Sequence, residues 1–349
     1  MRKIAIIADD LTGALDAAAP FAARGLKTVA VVDDSQFSET QARGADVLAI
    51  NTASREISAA EARARVARVL SRLPADCILF KKVDSRLKGP IAEELSAFAG
   101  RSLLVVPAIP DFGRVVRDGK VSGFGVDTPL DVAGRIGAAV GKARIPDIAT
   151  QDDMDRAIAA CAPGTVIVGA RGAALALAKR MGPATSAAPR GLGRRLVMLI
   201  GSRDPITLAQ IRRLVQHVPG VVLDQAPSGV TSAAPGMAAE APAVVVQAVP
   251  GPGAPDADTV ARALAASYRS RYAAPRDGLL LCGGATAQTV LGELGITSLD
   301  VRGEIIDGVP ACISGGMTIL TKSGGFGEED ALVEVLSRYQ VTGRQEQKV

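Results

Sequence analysis

The chain has 349 residues, the length of about two domains. With 48% apolar and 22% charged residues it can build an ordinary core, and a disordered chain is excluded. Forty Lys and Arg against 36 Asp and Glu leave a net charge of +4 with the one His neutral, too weak and scattered a field for a nucleic-acid binder.

Residues 3–8 are a short apolar strand, followed by the turn Asp9-Asp10-Leu11-Thr12-Gly13. A helix is predicted over 14–24, with Gly25 placed to end it. Strands follow at 28–32 and 46–51, an Ala/Arg-rich helix at 59–73, a strand at 77–81, a helix at 90–99 and a strand at 103–106. Nearly all-apolar strands separated by helices predict a parallel sheet covered on both faces. Residues 108–150, rich in Gly and Pro, read as an irregular excursion near a site. The β/α alternation resumes with a helix at 154–161, a strand at 165–169 and a helix at 173–181.

Residues 182–195 are rich in Gly, Pro, Ala and Arg and read as a linker carrying the densest basic patch, Arg190, Arg194 and Arg195. A strand at 196–200 then opens a new strand–turn–helix unit through Gly201-Ser202-Arg203-Asp204-Pro205, with its helix over 206–218. Residues 225–258 are expected to be loops around one strand at 243–248. A strand at 279–282 feeds Gly283-Gly284-Ala285-Thr286 and a helix to about residue 294, and the polar tail after Gln340 is expected to fray. The fold class is therefore α/β: two domains, each built on a mostly parallel sheet flanked by helices.

No apolar run approaches the roughly 20 residues of a membrane span, and the apolar start ends at Asp9, short of a signal peptide; a cytoplasmic protein is expected. The cysteines at 77, 161, 282 and 312 form no C-x-x-C pair, so neither disulfides nor a metal cluster is expected, and Cys77, Cys161 and Cys282 read as buried. The absence of Trp argues against an aromatic platform for bases or sugar rings. His217 reads as a helix-end surface residue, and Tyr268 and Tyr272 as packing residues or an edge for an adenine.

Three groups of residues carry candidate chemistry. Asp9 and Asp10 sit at the carboxyl end of the first strand, where open α/β sheets place ligands, and an Asp there can accept a hydroxyl proton. The competing reading is that Asp10 and Thr12 cap the helix. A dehalogenase-type phosphatase fits poorly, because adjacent carboxylates point to opposite sides where D-x-D is needed. The second group is Lys82, Asp84, Ser85 and Arg86 after the fourth strand, with Arg55 after the third. Cations there suit a carboxylate, and Asp and Ser suit hydroxyls. The third group is a set of turns able to aim backbone N–H groups at a phosphate: Gly201-Ser202, Gly283-Gly284-Ala285-Thr286, and Lys322-Ser323-Gly324-Gly325. Neither a complete Walker A loop nor a G-x-G-x-x-G after the first strand occurs.

In order, IADDLTGALD, NTASRE, KKVDSRLKG, VVPAIPDFGR, IGSRDPITLAQI, CGGATAQTVLGELGI, GEIIDGVP and KSGGFG resemble the four-carbon acid sugar kinases, which phosphorylate threonate, erythronate or 3-oxo-tetronate. The resemblance runs from residue 4 to about 335. It implies an acid-sugar domain over 1–185, a linker over 186–195 and an ATP domain over 196–340, with the γ-phosphoryl group passing to the terminal hydroxyl. It places Asp9, Asp10, Arg55, Lys82, Asp84, Ser85 and Arg86 on the substrate side. Asp10 is the preferred base, with Asp9 orienting a hydroxyl or the metal. It places Ser202, Gly283, Gly284, Ala285, Thr286, Lys322, Gly324 and Gly325 on the ATP side. Mg²⁺ arrives with the nucleotide. The expected partners are a small anionic sugar acid and ATP, with no nucleic acid or membrane, and a homodimer as the commonest assembly. The chain is shorter than the family norm between about 113 and 165 and between 225 and 260, and it has Ala285 where an acidic residue is usual. A member that binds a sugar acid without phosphorylating it is the alternative these departures allow.

Overall fold

The computed structural model describes residues 3–38, 44–184, 193–234 and 238–346. The chain divides into two compact units, Met1–Ser186 and Ala187–Val349. Residues 186–192 of the expected linker, with Arg190, lie outside the described residues.

The first unit begins β1 (Ile4–Ala8), α1 (Leu11–Ala22), β2 (Thr28–Val31), β3 (Val47–Asn51), α2 (Ala59–Arg72), β4 (Ile78–Lys82), α3 (Ile91–Ser96) and β5 (Leu103–Val106). It continues β6 (Arg114–Arg117), β7 (Lys120–Gly123), β8 (Val126–Asp131), α4 (Val132–Ile136), β9 (Ala143–Arg144), α5 (Gln151–Ala159), β10 (Val166–Gly169) and α6 (Arg171–Lys179). Its main sheet has the order β2-β3-β1-β4-β10-β5-β9, with every pairing parallel. The chain moves outward from β1 to β2, returns to β3, and then crosses to β4 on the other side. The order reverses around β1, and that is where an open parallel sheet offers a crevice.

Local signals explain the helices. Asp10 caps α1 by accepting from the Gly13 amide, and Gly25 takes φ +77° just past its end. Ser58 caps α2, whose Ala62, Val66 and Val69 form one buried stripe. Thr150 and Asp153 make a capping box on α5.

The segment read as irregular contains a separate antiparallel sheet, β6-β7-β8. Its strands escaped detection because few of their side chains are buried, Val116 and Val121 chief among them, so no long apolar alternation exists. A hairpin signal was present: Asp118-Gly119 joins β6 to β7 with φ of +48° and +69°.

The second unit contains β11 (Leu196–Ile200), α7 (Pro205–His217), β12 (Val222–Pro227), β13 (Ala243–Val249), α8 (Ala257–Ser267), β14 (Gly278–Cys282) and α9 (Gly284–Glu293). Then come β15 (Ser298–Ile306), β16 (Val309–Ser314), β17 (Met317–Lys322) and α10 (Ala331–Glu346). Its strands run β12-β13-β11-β14-β17-β16-β15, parallel as far as β17 and antiparallel beyond. The order reverses between β11 and β14. Leu214 on α7 and Leu332 and Leu336 on α10 share one buried cluster with Met198 and Leu280, each such burial stabilising by about 1.5–3 kcal/mol.

Several expectations for this unit are corrected. β12 begins ahead of the stretch read as loop and runs into it over 225–227; it is an edge strand, half-exposed at Asp224 and ending in Pro227, so it lacks an apolar run. The antiparallel β15–β17 was not anticipated. α10 continues past Gln340 to Glu346. Arg195 is no surface cation: it is buried and donates through Nε to Asp277 at 2.8 Å. Cys282 and Cys312 are buried, but in the first unit Cys77 and Cys161 are only half-buried, because Cys77 precedes β4 and Cys161 lies just past the end of α5. Tyr268 and Tyr272 are buried packing residues, and His217 is exposed at the end of α7.

Candidate active site

In the first unit, the turns after β1, β3 and β4 converge. Arg55 donates to Asp9 through Nε (2.8 Å) and Nη2 (2.9 Å), and to Asp10 through Nη1 (2.8 Å). Its Nη1 lies 4.0 Å from Asp84. The backbone holds Arg55 there: the amides of Ser54 and Arg55 donate to the Asp9 carbonyl at 3.0 and 3.3 Å. Ala53 takes φ +48° to make that turn, a conformation costly for a residue with a Cβ. Gly89 closes over the pair, since a Cβ on it would lie 3.2 Å from the Asp9 carboxylate.

The two aspartates differ in access. Asp9 has a side chain 2% exposed, against 17% for Asp10. Burial pushes the Asp9 carboxyl up, but Arg55, with Lys81 and Lys82 behind it, outweighs this and holds it below its ordinary value. Asp10 fulfils the capping reading: it accepts from the Gly13 amide (2.8 Å) and from the Thr12 hydroxyl (3.0 Å). Lys82 is buried, with its ammonium beside Gly13 and donating to the Val83 carbonyl at 3.2 Å. Asp84 accepts from the Arg86 amide, and the Arg86 side chain is exposed.

Five residues to which the sequence assigned no role also shape the site: Arg114, Lys81, Glu94, Asp16 and Arg171. Arg114, on β6, donates to the Ser85 hydroxyl and twice to the Phe124 carbonyl. Burial lowers the proton affinity of its guanidinium, and neighbouring Arg86 lowers it further. Lys81 and Glu94, both buried, pair at 2.9 Å beneath the site, and Ser54 also donates to Glu94. Asp16 faces Arg171 at 3.2 Å, and its carboxyl is raised by burial despite Arg171 and Lys82. No spacing rule in the sequence joins these partners; only the order of strands does.

In the second unit the three glycine turns meet at the β11/β14 reversal. A Cβ on Gly201 would collide with the Thr286 hydroxyl and lie 3.3 Å from its Cβ. One on Gly324 would collide with the Ser202 hydroxyl, and one on Gly325 would sit 2.9 Å from Asp204 Oδ2. Gly283, at φ +107°, donates from its amide to the Lys322 carbonyl at 2.9 Å. Gly283 precedes α9 with no side chain to cap it, and exposed Ala285 leaves the first turn open, so the helix N-terminus can receive an anion. Asp204 caps α7 through Oδ1, accepting from Ile206 at 2.9 Å. Lys322 is buried, and its ammonium donates to the carbonyls of Ser323 (3.0 Å) and Gly324 (3.4 Å). Burial lowers its proton affinity below the ordinary value despite Asp204 nearby.

Family comparisons agree with this division. The sugar-binding N-terminal domain family matches residues 4–131, and the nucleotide-binding C-terminal domain family matches 197–332. The chain belongs to the four-carbon acid sugar kinase family. It is 30% identical to a D-threonate kinase of Bordetella bronchiseptica, over 95% of this chain and 96% of the relative. It is 26% identical to a 3-oxo-tetronate kinase of Methylobacterium radiotolerans, over 93% and 96%. The Bordetella alignment spans 396 positions against a chain of 349, so the relative carries insertions that this chain lacks. In fold it is similar to a crystallised Salmonella typhimurium LT2 protein, with a TM-score of 0.73 at 20% identity, covering 97% of this chain and 99% of that one. No helix among the described residues is long and apolar enough to cross a membrane.

Proposed function

We propose that the chain is a kinase that moves the γ-phosphoryl group of ATP to the terminal hydroxyl of a four-carbon sugar acid. One observation carries the reading: Lys322 is a buried cation hydrogen-bonded to backbone carbonyls and set where three glycine turns meet. A buried cation without a hydrogen-bonded counter-charge favours an arriving anion, and glycine turns supply the amide donors that a phosphate needs. The relatives' names supply the reaction class.

On the acid-sugar side, Arg55 is occupied by Asp9 and Asp10. Lys82, Arg86 and Arg114 remain for the substrate carboxylate, and Asp84 and Ser85 for its hydroxyls. Asp10 is the base: its carboxylate is the more open of the two, while Asp9 fixes Arg55. Phosphoryl transfer asks little covalent chemistry of the protein, so holding the hydroxyl and its departing proton at Asp10 is the main task. Mg²⁺ takes one or two protein carboxylates and fills its shell from phosphates and water. Asp204 fits as one such carboxylate, since Oδ1 is used by the helix cap and Oδ2 faces Gly325. The ion would neutralise charge on the phosphate oxygens.

The test is ADP release by the purified chain with ATP, Mg²⁺ and a panel of threonates, erythronates and 3-oxo-tetronate. One acid should give turnover, and Asp10→Asn should lower kcat at least about 100-fold with Tm retained. Near-normal turnover in that variant removes Asp10 as base. Saturable binding of an acid with no ADP from any of them would favour the non-phosphorylating binder, for which exposed Ala285 is the motivating residue.

A further inference from the structure

We infer that Thr207 and Gln210 are positioning residues that turn the 324–329 backbone inside out, so that its amides form the seat for the nucleotide's phosphates. The inference rests on the kinase reading above and deepens it. Thr207 and Gln210 lie three apart on α7 and so share a face, and both are fully buried. The Thr207 hydroxyl donates to the Gly324 carbonyl at 2.6 Å. The Gln210 amide nitrogen reaches three successive carbonyls: Phe326 (3.0 Å), Gly327 (3.0 Å) and Glu328 (2.8 Å). Two N–H protons thus serve three acceptors, a crowding that ordinary strand or helix geometry does not produce. Lys322 adds a second donor to the Gly324 carbonyl at 3.4 Å.

In a trans peptide the N–H of the next residue points opposite to the C=O. Four carbonyls drawn toward α7 therefore aim the amides of Gly325, Gly327, Glu328 and Glu329 away from it. Among the described residues, none of these four amides donates to a backbone carbonyl. Successive outward amides make an anion-binding concavity. Gly325, itself exposed, has no Cβ to crowd the Asp204 carboxylate, which would lie 2.9 Å from one and which the reading above assigns to Mg²⁺, and Gly327 turns the loop at φ +85°. The Glu328 and Glu329 side chains are exposed and solvent-screened, so their charge opposes an anion only weakly.

Gln210 also bears a cost that loop-holding alone does not require: its Oε1 is buried with no hydrogen-bond partner among the described residues. A buried residue whose amide is half satisfied and spent wholly on one loop marks that loop's shape as what it serves.

The experiment is calorimetric titration of ATP with Mg²⁺ into the full chain and into Gln210→Met, Thr207→Val and Thr207→Ser, with the preferred sugar acid titrated in parallel. Gln210→Met and Thr207→Val should each weaken nucleotide binding at least tenfold and raise KM for ATP, leaving sugar-acid affinity and its KM within twofold. Thr207→Ser keeps the hydroxyl and should bind like the parent. Wild-type affinity in both losing variants overturns the inference alone, as does an equal loss for both ligands. A parent chain that binds no nucleotide overturns the kinase reading and takes the inference with it. Hydrogen exchange of the unmodified protein gives a check independent of variant folding: ATP with Mg²⁺ should slow exchange at Gly325, Gly327, Glu328 and Glu329. Unchanged exchange at all four, with nucleotide bound, refutes the seat.

Discussion

Replacing Arg55 by Met tests whether the Arg55–Asp9 pair is a fixed part of the first unit. The substitution leaves Asp9 in place, 2% exposed, with two of its hydrogen bonds gone. Breaking one side of a buried ion pair costs about 3–5 kcal/mol, because the remaining charge is stranded. Arg55 is itself 20% exposed, and Lys81 and Lys82 still act on Asp9, so the low end applies, about 3 kcal/mol. For a unit of this size each kcal/mol moves Tm by about 2–4 °C, giving a fall of about 6–12 °C in the first unit's calorimetric transition.

The pH dependence has a definite sign. In the parent the folded Asp9 carboxyl lies below its ordinary value of 3.8, so its stabilising share is complete above 3.8 and is lost as pH falls through the folded value. In the variant, burial raises the carboxyl with less charge to oppose it, so the penalty is relieved as pH falls. The gap between parent and variant therefore narrows on acidification. Arg55→Met with Asp9→Asn removes the stranded charge and should recover at least about 1 kcal/mol relative to the sum of the single changes. Additive losses, or a gap that widens toward acid, would refute the coupling.

Two further outcomes follow from the second unit. Lys322 has a folded proton affinity below its ordinary 10.5, so between those values the unfolded chain holds more protons and stability rises with pH; a phosphate on the ammonium reverses the shift. Binding ATP in that window should therefore take up a proton, read by calorimetry in buffers of different ionisation enthalpy, and Lys322→Met should abolish the uptake. Gly201→Ala places a Cβ against the Thr286 hydroxyl and 3.3 Å from its Cβ; turning Thr286 moves the hydroxyl but leaves the Cβ contact and gives up the parent rotamer. It should cost about 1–3 kcal/mol in thermal melts, with Thr286→Ala restoring most of it, and an unchanged Tm in the single variant would show that the turns pack less closely.

The parallel strands were legible because each is a short, nearly all-apolar run bounded by a helix cap or glycine, as at Ile4–Ala8 before Asp10. The turns at Asp9, Arg55, Gly201 and Gly283 were legible because each directly follows such a strand, where a parallel sheet places its ligands. Strand β15 was legible but unread: its burial alternates at Leu299, Val301, Gly303 and Ile305, and Asp307-Gly308 signals a hairpin. Edge strands such as β8, which carries Pro129 and several exposed residues, offer no comparable signal. Glu94 and Arg114 were unreadable for a different reason. A glutamate under Lys81, or an arginine reaching a serine 29 residues away, is fixed by tertiary placement that no local period reports.

The position of β10 between β4 and β5 has a consequence for synthesis. About sixty residues separate the end of β5 from the start of β10, so two finished strands wait for the one that must slide between them. At 5–20 residues per second, a ribosome leaves those open edges exposed for roughly 3–12 s. Unpaired parallel edges invite pairing with other chains, and a nascent chain stalled before Val166 would present two of them. Premature termination in the 107–165 stretch should therefore yield insoluble fragments, while termination beyond α6 releases a polypeptide whose main sheet has received its last strand.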